Sequence, residues 1–121
     1  LIVGNHDGSW MDKVDLNHYF VSVDNYLETT DGVHGMTICH YPLLAWKNAG
    51  RTYMVHGHIH ADTNSDYWPL IQCRERVLNA GVDVNDYRPV TFEEMVENNR
   101  KFKAAHAGQD CVHNADETAK N

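Results

Sequence analysis

No apolar run in this 121-residue chain approaches the roughly 20 residues that a helical membrane span needs. No signal-peptide pattern opens it either. Cysteine is scarce: Cys39, Cys73 and Cys111, with no CxxC pair. An odd, widely spaced set argues against a disulfide framework and fits a cytoplasmic, reducing compartment. Basic residues are also few, 10 Lys and Arg against 17 Asp and Glu, for a formal charge of −7. A general nucleic-acid-binding surface is therefore not expected. Phosphate chemistry is not excluded, because bound cations would supply positive charge locally. The chain also lacks an initiator Met. It opens on Leu1-Ile2-Val3, an apolar run that reads as a buried strand, and the expectation is a chain missing its N-terminal portion.

What is present suits a single globular unit. The 42% hydrophobic content is enough for a core. The most informative stretch is Val55-His56-Gly57-His58-Ile59-His60, with three histidines in five residues. Imidazole is the commonest ligand for borderline metals. Extended backbone would put all three rings on one side. A turn at Gly57 would instead let His58 and His60 reach two neighbouring points. An incidental His-rich loop is the bland alternative.

Taken in order, residues 1–3 read as a strand that ends at Gly4-Asn5-His6-Asp7-Gly8, a run of turn formers and potential ligands. Residues 9–18 predict a short irregular helix, with Ser9 as its cap. Residues 19–23 and 26–30 read as strands, and Asp31-Gly32 makes a hairpin turn into 36–40. Met36-Thr37-Ile38-Cys39 is a buried strand with His40 at its end, broken by Pro42. Residues 52–56 form the strand that delivers the histidines. Residues 76–79 form another, with Val82-Asp83-Val84 as a possible extension. Thr91 and Glu94 make a capping box for a helix over 92–106, with Asn98-Asn99-Arg100-Lys101 solvated. Residues 107–121 read as a disordered tail. In this reading three apolar strands each end in metal-type ligands: Asn5, His40, and His58 with His60.

These residues resemble the last three motifs of the calcineurin-like metallophosphoesterases: Gly4-Asn5-His6-Asp7, His40 at a strand end, and Gly57-His58-Ile59-His60. The runs Cys39-His40-Tyr41-Pro42-Leu43-Leu44-Ala45-Trp46 and Leu78-Asn79-Ala80-Gly81-Val82-Asp83-Val84-Asn85-Asp86-Tyr87-Arg88-Pro89-Val90 are similar to its small bacterial and phage members. The resemblance implies an α/β architecture, a β-sandwich of two mixed sheets flanked by helices. Residues 1–106 would be the C-terminal portion of that single domain. It implies two divalent ions (manganese, iron, zinc or nickel) that bind phosphate oxygens and activate a water. Asn5, His40 and His58 would ligate one ion and His60 the other. His6 would act catalytically near the leaving group, oriented by a hydrogen bond that it donates to Asp7. Arg88 is a further candidate for binding phosphate, while Asp83 and Tyr87 read as turn residues. His56 falls outside the ligand pattern and reads as a packing histidine.

The expected substrate is a phosphomonoester or phosphodiester, on a phosphorylated small molecule or a diester. The family's Asp-x-His and Gly-Asp-x-x-Asp/Asn motifs occur nowhere in these 121 residues. A non-catalytic scaffold, or an inactive fragment binding a protein partner or a single metal, therefore stands as the alternative.

Overall fold

The computed structural model describes residues 1–107. Its centre is a four-stranded mixed sheet in the order β1 (Tyr26–Thr30), β2 (Gly35–Cys39), β3 (Tyr53–His56), β4 (Val77–Asn79). The β1–β2 pair is an antiparallel hairpin, as Asp31-Gly32 predicts. In its turn, Asp31 Oδ1 accepts from the N–H groups of Val33 (2.8 Å) and His34 (2.6 Å), and Gly32 takes φ +95°. Those bonds, from His34 foremost, hold the Asp31 carboxyl well below the usual range. Strands β2, β3 and β4 run parallel. Their carboxyl ends therefore lie at one edge of the sheet, where α/β folds gather ligands.

Both faces of the sheet are covered, which is why β3 and β4 are apolar without alternation. Met54 and Val77 pack with Ile59, Trp68 and Ile71 on one face. Val55 and Leu78 pack with Met95 on the other. Trp68 and Ile71 come from α3 (Trp68–Gln72), within the crossover from β3 to β4. Met95 comes from α4 (Phe92–Ala105). The capping box predicted for α4 is present: Thr91 Oγ1 accepts from Glu94 N–H (3.2 Å), and Glu94 Oε2 accepts from Thr91 N–H (2.8 Å).

A buried asparagine cluster joins β4 to α4. Asn79, Asn85 and Asn99 are 6%, 2% and 2% exposed. Asn99 Oδ1 accepts from the Asn79 N–H (2.7 Å), and Asn99 Nδ2 donates to the Asn79 carbonyl (2.9 Å). One side chain thus stands in for a fifth strand at an otherwise open edge. Asn85 Nδ2 adds bonds to the carbonyls of Asn79 and Gly81, both 2.9 Å. Asn99 is accordingly not solvated, contrary to the expectation from its polar sequence neighbours.

Other expectations also change. Residues 1–3 form no strand of the sheet, and only an isolated parallel bridge links Ile2 to Asp24. The helix over 9–18 is two single turns, α1 (Gly8–Met11) and α2 (Leu16–Tyr19). Asp7, not Ser9, stands at the first N-cap, and the Ser9 hydroxyl instead donates to the His6 carbonyl (3.2 Å). Residues 19–23 are not a strand, and 82–84 belong to a turn. Cys39 is a free thiol, whereas Cys73 is disulfide-bonded, contrary to the expectation of no disulfide. Among the described residues no helix is long and apolar enough to cross a membrane. Of the tail expected over 107–121, residues 108–121 lie outside the described residues.

The asparagine cluster carries more stability than the helix cap. Thr91→Ala is expected to cost about 1 kcal/mol. Asn99→Leu leaves the buried Asn79 N–H without a partner and its carbonyl with Asn85 alone, at roughly 1–3 kcal/mol for the orphaned N–H and a further contribution from the lost carbonyl bond. Urea unfolding checks the order. An Asn99→Leu protein no less stable than Thr91→Ala would refute it.

Candidate metal centre

The parallel strand ends bring the predicted ligands together from three parts of the chain. His40 follows β2, and its carbonyl accepts from the Gly57 N–H (2.9 Å), which carries the β2–β3 ladder into the histidine loop. Asn5 arrives on the N-terminal loop. Asp7 Oδ2 accepts from the Gly4 N–H (2.6 Å), and Asp7 Oδ1 accepts from Trp10 Nε1–H (2.9 Å). These bonds fold residues 4–10 into a tight turn and, with the Gly4 N–H foremost, lower the Asp7 pKa. Asp7 thus braces the turn rather than hydrogen-bonding to His6.

Three donor atoms converge. Asn5 Oδ1 lies 2.7 Å from His40 Nε2 and 3.2 Å from His58 Nδ1, and the two ring nitrogens are 3.2 Å apart. Donors about 2.1 Å from a common zinc-like ion stand roughly 3.0–3.4 Å from one another. The two separations from His58 Nδ1 fall in that range, whereas the Asn5–His40 separation of 2.7 Å is shorter and has the length of a hydrogen bond. With one ring nitrogen protonated and the other not, the same three atoms also form a hydrogen-bonded cluster. Burial, and then the charge of His58, push the His40 pKa down, which favours the ring's metal-binding neutral form. Among the described residues no group of three or more His, Cys, Asp and Glu side chains is placed to hold a metal ion. The trio reaches three donors only through the amide oxygen of Asn5.

Neighbouring groups shape the trio. A Cβ on Gly4 would stand 2.9 Å from two atoms of the His40 ring, so the ring depends on glycine there. The Tyr41 ring packs edgewise on His58, with centroids 4.6 Å apart. Tyr41 and His58 also line a groove of about 400 Å³ with Pro42, Leu44, Tyr67 and Leu70. Sequence reading gave neither Gly4 nor Tyr41 a packing role. The Gly before Asn5 and the aromatic after His40 were the available signals.

The histidine loop turns at Gly57, so the three rings do not share one side. Ile59 is buried in the core with Met54 and Trp68. His58 and His60, on either side of it, take left-handed φ values of +63° and +51°. Such conformations cost roughly 1–2 kcal/mol per residue outside glycine. They persist where surrounding structure determines them. Here Ile59 anchors the turn, and Asn79 Nδ2 holds the His60 carbonyl at 2.8 Å. His56 points inward, 2% exposed, as expected of a packing histidine. Its Nδ1 lies 3.0 Å from the Gly57 carbonyl, and burial lowers its pKa to about 4.

The remaining candidates are not drawn into the trio. His60 is 84% exposed at the side chain and lies 4.0 Å from Asp83. His6 is exposed close enough to influence the charge of His40. Arg88 pairs instead with Glu94 (3.0 Å) at the start of α4.

No protein-family model, no curated protein and no solved structure gives a significant match to this chain.

Gly4→Ala is expected to weaken zinc or manganese binding by about tenfold or more, as changes behind a ligand do. Asn5→Ala and His58→Ala should weaken it further. Calorimetric titration reads this directly, and unchanged affinity in all three variants would exclude the trio as a cation site.

Proposed function

We propose that this chain forms part of a calcineurin-like metallophosphoesterase that hydrolyses a phosphomonoester or phosphodiester. One observation carries the reading: Asn5 Oδ1, on the N-terminal loop, converges to 2.7–3.2 Å with His40 Nε2 and His58 Nδ1, which follow the carboxyl ends of the parallel strands β2 and β3. Those are the residues that the sequence motifs single out. In the same reading the four-stranded sheet belongs to a larger two-sheet sandwich. The Asp-x-His and Gly-Asp-x-x-Asp/Asn motifs would complete the centre from outside these 121 residues.

Asn5, His40 and His58 would hold one divalent ion, and His60 would contribute to a second. Two such ions would neutralise phosphoryl oxygens and lower the pKa of a water, so that it loses a proton to solvent and hydroxide is available to attack phosphorus. The chain's own residues set the rest. Asn5 is a neutral ligand, which limits negative charge facing the phosphate. His6, exposed beside His40 on the braced 4–10 turn, would donate a proton to the leaving oxygen. Trp10 and Gly4 hold Asp7, and so hold the turn that presents Asn5 and His6 together. Arg88 pairs with Glu94 (3.0 Å), and a role in binding phosphate would require it to leave that partner.

The test is hydrolysis of a generic aryl phosphodiester with manganese or nickel. The protein assayed carries these residues together with the two further motifs. His58→Ala is expected to lower kcat at least 100-fold, and His6→Ala to lower it roughly 10²–10⁴-fold with metal affinity kept. The 121 residues alone should show little turnover. Activity unaffected by His58→Ala would reject the reading. Inactivity with every metal would leave the non-catalytic scaffold.

A further inference from the structure

We infer that Asp83 and His60 form a second divalent-cation site, in which Asp83 supplies the carboxylate that the Asn5–His40–His58 trio lacks. The inference builds on the reading of this face as a dinuclear centre. It adds a ligand that the sequence motifs do not mark.

The residues are brought together by the main chain. The His60 carbonyl is fixed by Asn79 Nδ2 (2.8 Å), and Asn79 Oδ1 accepts from the Gly81 N–H (2.8 Å). Asn85 holds the Gly81 carbonyl (2.9 Å), and Val84 N–H closes the turn on the same carbonyl (3.2 Å). Asp83 therefore hangs from a turn built on the end of β4, directly across from the histidine loop. Gly81 makes the approach feasible, since a Cβ there would stand 3.0 Å from Asp83 Oδ1.

Two observations single out a cation. Asp83 Oδ2 lies 4.0 Å from His60 Nδ1, too far for a hydrogen bond and close enough for two ligands of one ion. Asp83 Oδ1 is buried with no hydrogen-bond partner. A desolvated carboxylate oxygen without a donor is unfavourable unless a positive charge is supplied nearby. Among the described residues no Lys or Arg forms an ion pair with Asp83. The His60 ring, largely exposed, is free to swing the short distance that brings its nitrogen to ligand spacing. One carboxylate and one imidazole suit manganese, iron, cobalt, nickel or zinc better than magnesium or calcium.

Titration of the 121-residue chain with Co²⁺, followed by calorimetry and visible absorption, tests the site. The chain is expected to take up two equivalents. Asp83→Asn keeps the shape of the side chain, and His60→Gly relieves the left-handed backbone, so neither is expected to unfold the protein. Each should weaken one equivalent at least tenfold and leave the other unchanged, whereas His58→Ala should do the reverse. Loss of an equivalent in Asp83→Asn with no effect of His58→Ala would uphold this site while rejecting the trio. Two equivalents of unaltered affinity in Asp83→Asn, or no second equivalent in the unmodified chain, would overturn it.

Discussion

The bonds between Asn99 and the main chain of Asn79 are what the functional face depends on. They terminate the sheet at β4 and satisfy both backbone groups of its last residue. That frees the Asn79 side chain to bridge His60 and Gly81. A single polar contact between helix and strand thus determines where the histidine loop ends and where the following turn begins. Without it, the His60 carbonyl would lose the rigid neighbour that holds it.

The electrostatics explain why the face is unusual for an acidic chain. The trio gathers electron-pair donors with no Lys or Arg among them, while the Asp7 carboxyl beside it is tied to Gly4 and Trp10, which lower its pKa. The chain's own cations serve elsewhere. Arg88 steadies the start of α4, and Lys103 is drawn under its end, donating to the carbonyls of Arg74 (2.7 Å) and Val77 (2.5 Å).

Elements whose signals are local and strong were legible in the sequence. Thr91 and Glu94 marked the start of α4, and apolar runs marked β2, β3 and β4. The sequence put Asn5, His40 and His58 at three strand ends; His40 and His58 do follow β2 and β3, whereas Asn5 reaches them from a loop outside the sheet. The N-terminal helices were not resolved into two single turns, because four-residue turns owe their existence to caps such as Asp15 rather than to periodicity. Val82–Val84 looked like strand because its apolar residues alternate. Nothing local announced that Asn85 would reach back and close the chain into a turn. Asn99 was misread for the same reason: its sequence neighbours are solvated, and its partners lie 20 residues away.

The two trio histidines present different ring atoms, His40 its Nε2 and His58 its Nδ1. The δ nitrogen sits close to its own backbone, the ε nitrogen a ring's width further out. His40 therefore works as a long lever, whose tip is steadied by packing against Gly4. His58 works as a short one, whose tip moves only as far as its left-handed main chain allows. The stiffness of the trio is unequal by construction. One corner is held by the covalent geometry of the loop, and the other two adjust around it.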